Sequence, residues 1–163
     1  MPTPRRSQLA VTLKQNKPFV SLQQEAFLSI LRTASELSHA TDQFLKQFDI
    51  TQPQYNVLRI LRGAGAEGLC RNEISVRMVT ATPDMSRLLD RIEAAGWVTR
   101  ERDGDDRRQV MTFITAAGEV LLNTIEAPMR ALNELLFEGA TEKELKALTS
   151  QLARIRDRRA QLA

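Results

Sequence analysis

Residues 71–115 read RNEISVRMVTATPDMSRLLDRIEAAGWVTRERDGDDRRQVMTFIT, and this stretch decides the fold. Its order is two short helices, a strand, a charged tip and a returning strand, which is the order of a winged helix. The second helix carries two start signals: Thr82 as a side-chain N-cap acceptor and Pro83, whose fixed φ and missing N–H suit the first helical position. It is expected to run to about Ala95 and to stop at Gly96, where positive φ is cheap.

At the helical period, Met85, Leu88, Leu89, Ile92 and Ala95 gather on one side as core. Pro83, Ser86, Arg87, Asp90 and Ala94 gather on the other, with Arg91 at its margin. The free side offers a hydroxyl and a guanidinium at its N-terminal end. Such a surface fits a DNA major groove, where an Arg can donate two hydrogen bonds to guanine and a helix N-terminus can approach phosphate. After Gly96 the β-branched and aromatic residues, Trp97, Val110 and Phe113 among them, make two strand-like runs about a glycine turn. Arg107 and Arg108 follow that turn, so a projecting loop would carry guanidiniums toward phosphate or into a narrow minor groove. The competing reading is a solvated hairpin tip, since Thr99–Arg108 holds four arginines against four acids.

Outside this module the chain is helical. Ser21 and Gln24 have the spacing of a capping box, and Phe27, Ile30, Leu31, Ala34, Leu37, Phe44, Leu45 and Phe48 then repeat at three and four. A helix that long outruns the core of a small domain, so part of its stripe is expected to meet another subunit. Thr51 and Gln54 form a second box, opening a helix to about Arg62, and GAGAEGL reads as a loop. Thr115 caps a helix interrupted by Pro128, expected to kink there and to end at Gly139. Thr141 and Glu144 form a third box before the last helix. The class is mainly α (α+β). The segments read as a flexible basic arm (1–18), an N-terminal dimerisation helix (19–50), a winged helix-turn-helix lobe (51–115) and C-terminal dimerisation helices (116–163).

The run TPDMSRLLDRIEAAGWVTRERDGDDRRQVMTFITAAG, with its DDRR wing and the T-x-x-G that opens the next helix, closely resembles the recognition helix and wing of the MarR family of regulators. The resemblance covers roughly residues 20 to 160 and is strongest in the middle. It implies a homodimer that binds pseudo-palindromic operator DNA, usually as a repressor relieved by a small molecule or by thiol oxidation. It places the N-terminal part of the second helix in the major groove, so the candidate DNA contacts are Thr82, Pro83, Asp84, Ser86, Arg87 and Arg91. On the wing it implies that Asp106 orients an arginine while Arg108 reaches the minor groove beside Arg107. It also implies an effector pocket between the dimerisation helices and the reading lobe, for which His39, Gln43, Tyr55 and Met129 are candidate lining residues.

Composition bounds the alternatives. At 163 residues, 42% hydrophobic and 26% charged, the chain suits one domain with a sizeable core, with no apolar run long enough for a bilayer and no secretory signal, so a cytoplasmic location is expected. The net charge of +3 is concentrated at the ends, in Arg5, Arg6, Lys14 and Lys17 and in RIRDRR at 154–159. One cysteine and one histidine exclude an intrachain disulfide and argue against a zinc site, a cofactor or a nucleophile–base pair, so the chain reads as no enzyme. Two other readings stay open. A winged helix can use the same face for a protein partner. Cys70, at the start of the helix RNEISVRM beside Arg71, can be a redox-sensing thiolate or an inert, partly buried thiol.

Overall fold

The computed structural model describes residues 7–102 and 110–162, which form helices and a small three-stranded antiparallel sheet. The chain divides into two compact units, residues 1–119 and 120–163. Asp106, Arg107 and Arg108 lie outside the described residues, as do Arg5 and Arg6.

The first unit opens with α1 (Gln8–Thr12), capped by Ser7, whose hydroxyl accepts from the Ala10 N–H. This helical turn, with Ala10 buried, lies within the segment read as a flexible basic arm. The long helix α2 (Leu22–Leu45) starts where expected: the Ser21 hydroxyl accepts the Gln24 N–H at 3.1 Å. The reciprocal half of the box shifts by one residue, because Gln24 Oε1 takes the Val20 N–H instead. A 3-10 turn (Lys46–Phe48) and the left-handed Asp49 lead into α3 (Gln52–Ala64), whose Gln54 Oε1 accepts the Thr51 N–H at 2.9 Å.

β1 (Leu69–Cys70), which pairs with the returning wing strand, begins on the last residue of the stretch read as a loop. Helix α4 (Arg71–Arg77) and helix α5 (Met85–Ala94) make the helix-turn-helix; β2 (Val98–Arg102) and β3 (Val110–Ile114) follow. Strand order is β1-β3-β2, with Thr112 of β3 set between Leu69 on one side and Arg100 on the other. The core collects Leu45, Val57, Leu58, Leu61, Ile74, Leu89, Ile92 and Val98, all at most 2% exposed. Their burial, worth about 1.5–3 kcal/mol per large side chain, fixes the short helices against the sheet.

Helix α6 (Ala116–Leu136) begins in the first unit. Thr115 links it to the lobe, its hydroxyl donating to the Gly96 carbonyl at 2.7 Å and accepting the Gly118 N–H at 3.2 Å. A Cβ on Gly118 would collide with the Trp97 carbonyl oxygen, which is the physical reason for glycine in the T-x-x-G run. Trp97, expected beneath the wing, is only half-buried. In the second unit α6 continues through Pro128 to Leu136, short of Gly139, and α7 (Glu142–Ala160) begins at a complete capping box between Thr141 and Glu144.

Candidate nucleic-acid interface

The second helix of the pair starts later than expected. Its N-cap is Asp84, whose carboxylate accepts the Arg87 N–H at 3.0 Å, while Thr82 donates to the Thr80 carbonyl and Pro83 stands in the turn before the helix. A carboxylate at the positive end of the helix dipole outcompetes a hydroxyl two residues earlier, and Pro83 keeps Thr82 out of helical geometry. The C-terminal limit is as expected, with Gly96 at φ 77°.

The two faces of α5 separate as the period requires. Met85, Leu88, Leu89 and Ile92 are buried, whereas Pro83, Ser86, Arg87, Asp90, Arg91 and Ala94 are exposed. Ala95 departs from the expected core set: it is the C-cap and is exposed. Among the described residues the Arg87 and Arg91 guanidiniums have no ion-pair partner. Ser86 accepts from Arg71 Nη1 of α4 at 3.3 Å, which ties the two helices together at their polar side.

A second arginine holds the other end of the helix. Arg100 of β2 donates Nε to Glu93 at 2.9 Å, Nη2 to the same oxygen at 2.5 Å and Nη2 to Asp90 at 2.6 Å. These bonds, that to Glu93 foremost and that to Asp90 after it, raise the Arg100 pKa above its ordinary value against the opposing effect of burial. Sequence reading placed Asp90 on the free face, and it saw neither the pairing nor a role for Glu93. A period shared by two helical carboxylates was legible, but their partner lies on a strand whose position only the fold supplies.

Cys70 is the N-cap of α4, and its N–H is accepted by Glu73 Oε2 at 2.8 Å. That backbone hydrogen bond is the main reason the Glu73 carboxyl is held below the usual carboxylate range. Cys70, Arg71, Asn72, Ser86, Leu89, Arg100, Val110 and Thr112 line a cavity of about 440 Å³ between α4, α5 and the sheet. Among the described residues the Thr112 hydroxyl is buried without a hydrogen-bond partner. None of His39, Gln43, Tyr55 and Met129 lines this cavity. His39 and Gln43 are exposed on α2, Tyr55 is half-buried with its hydroxyl accepting from Arg59, and Met129 is buried in the second unit. No helix among the described residues is long and apolar enough to cross a membrane.

Comparison with known proteins agrees with this geometry. The MarR family model matches residues 48–109. The HTH-type transcriptional regulator TtmR of Methylorubrum extorquens is 32% identical over 154 residues, covering 94% of this chain and 76% of that protein. The crystal structure of a MarR transcription factor from Planctomyces limnophilus is 34% identical, with a TM-score of 0.62 over 90% of this chain and 100% of the other. The S. aureus MepR–DNA complex superposes with a TM-score of 0.72 at 26% identity, over 80% of this chain and 96% of that one. The capped helix pair, the three-stranded wing sheet and these likenesses together place the chain in the MarR family of winged helix-turn-helix transcriptional regulators.

Proposed function

We propose that this protein is a homodimeric regulator that binds a pseudo-palindromic double-stranded operator and represses transcription until a small-molecule effector releases it. The carrying observation is the exposed face of α5, where Arg87 stands without an ion-pair partner among the described residues, opposite a buried apolar stripe. In this reading α5 enters the major groove, Arg87 and Ser86 read base edges, and Thr82, Pro83, Asp84 and Arg91 flank them. Asp106 orients an arginine of the wing while Arg108 reaches the minor groove, and Arg107 is carried toward the phosphates beside it.

Dimerisation is supported by apolar side chains left uncovered in one copy: Phe27 and Leu31 on α2, Leu135 on α6, and Leu148 and Ile155 on α7 are each at least 47% exposed. A twofold mate would cover them and would set two copies of α5 about 34 Å apart, one turn of DNA. An effector acts by binding better to a dimer whose two copies of α5 stand at another spacing. His39, Gln43, Tyr55 and Met129 are the residues we propose to contact it.

Selection of bound sequences from random DNA with wild type and Arg87→Ala tests the reading. The expected result is a two-half-site motif in wild type that degrades at matched positions in the variant, with a loss of about 1–3 kcal/mol at the base pair read. Affinity should fall log-linearly with salt, by a slope of about −0.9 per phosphate contacted. A salt-independent interaction, or no selected motif, would reject the proposal in favour of a protein-binding winged helix.

A further inference from the structure

We infer that Arg100 is a positioning residue for sequence reading: it locks the C-terminal half of α5 to the root of the wing and removes Asp90 from the set of base-reading groups. The inference rests on the DNA-binding proposal above and adds a specificity determinant that touches no base.

Asp90 and Glu93 are three residues apart and so share a face of α5, and Arg100 spans both from β2. The planar fork of a guanidinium is what allows one side chain to hold two carboxylates in fixed geometry; an ammonium has the charge without the fork. From Glu93 to Ser86 is seven residues, about 10 Å of helix at roughly 1.5 Å each, so a tilt of roughly 10° at the braced end moves the reading end by about 1.8 Å. That displacement exceeds the tolerance of a base-edge hydrogen bond. The brace therefore sets where Ser86 and Arg87 arrive in the groove.

The same contacts decide what Asp90 does. An exposed aspartate on a recognition helix can accept from the N4 amino group of cytosine, and it otherwise repels phosphate. Here Asp90, 60% exposed, has Oδ1 engaged by Arg100 at 2.6 Å, so its charge is already compensated and its oriented oxygen is committed.

The test compares sequence selection and operator affinity for wild type, Arg100→Lys, Asp90→Asn and the double variant Asp90→Asn/Glu93→Gln. Arg100→Lys and the double variant are expected to lose about tenfold in affinity for the selected operator, with preference weakened across the whole half-site. For Arg100→Lys, which conserves charge, affinity for unrelated DNA and the salt slope should stay as in wild type; in the double variant, which frees a guanidinium, affinity for unrelated DNA should not fall, whereas a merely destabilised fold would lower operator and unrelated affinity together. Asp90→Asn alone should leave the preference at every single base pair intact. If Arg100→Lys fails to fold, the double variant carries the same expectation with the guanidinium in place. Unaltered selection by both the lysine and the double variant overturns the inference while leaving DNA binding standing, and loss of one C·G preference in Asp90→Asn makes Asp90 a reader and overturns it too. Absence of any motif in wild type overturns the DNA-binding proposal and this inference with it.

Discussion

Helices α5 and α2 obey the same periodicity and come to opposite ends. Of ten residues α5 buries Met85, Leu88, Leu89 and Ile92, whereas α2 buries only Leu45 of twenty-four. The short helix is too short to be stable alone and is held by its own lobe through packing, the Asp84 cap and the Arg100 brace. The long one shows Phe27 at 60% and Leu31 at 52% exposure. An amphipathic stripe thus states that a face needs covering, not what covers it: α5 is covered by its own lobe, while most of the α2 stripe is uncovered in the single copy.

The contrast can be broken most forcefully in the core. Ile92→Ala, at a fully buried position, should lower the unfolding free energy by about 2–5 kcal/mol in a denaturant titration. Leu31→Ala at low protein concentration should stay within about 0.5 kcal/mol, with its effect appearing instead in the monomer–dimer equilibrium seen by sedimentation. A large, concentration-independent loss for Leu31→Ala would mean that α2 is covered within its own chain.

Next in size is the junction between lobe and α6. Gly118→Ala forces a Cβ against the Trp97 carbonyl and should cost about 1–3 kcal/mol by overpacking, although alanine is the better helix former. An unchanged or raised Tm for this variant would show that the contact relaxes freely.

The smallest effect sharpens the comparison at α7, none of whose residues is buried, so that its start rests on local chemistry. Thr141→Ala should cost about 1 kcal/mol through loss of the cap. The Thr141 N–H, and then its hydroxyl, hold the Glu144 carboxyl below its ordinary value. An acid with a lowered folded pKa stabilises above its unfolded value, near 4.3, and the contribution is lost as pH falls through the lower folded value. Glu144→Gln should therefore lower thermal stability at neutral pH, where the carboxylate's contribution is fully present, and leave it unchanged below the folded value, so that the acid limb flattens. An identical pH profile in the variant would remove that carboxylate from the capping box.

Much of the fold was legible because it is written over short distances. Ser21 with Gln24, Thr51 with Gln54 and Thr141 with Glu144 announce helix starts within one turn, and the α5 stripe names its buried face. The start of α5 was misplaced because Thr82 and Asp84 both qualify as caps and Pro83 suits either arrangement; the contest is settled by the stronger acceptor. Of the candidate interface, the exposed placement of Ser86, Arg87 and Arg91 was readable from periodicity, while the engagement of Asp90 was not. Asp106, Arg107 and Arg108 rest on the wing motif, which lies outside the described residues.

By itself, then, the sequence determined the long helical segments, the caps at Ser21, Thr51 and Thr141, the glycine stop at Gly96 and the polar tip of α5, since each depends on residues within about one turn of one another. The tertiary structure alone decided that Leu69 and Cys70 are a strand, because a two-residue strand exists only through its pairing with Met111 and Thr112. It alone decided that Arg100 belongs to Glu93 and Asp90 rather than to solvent. Such pairings join groups on separate elements, and their geometry exists only once packing has brought the sheet against the helix.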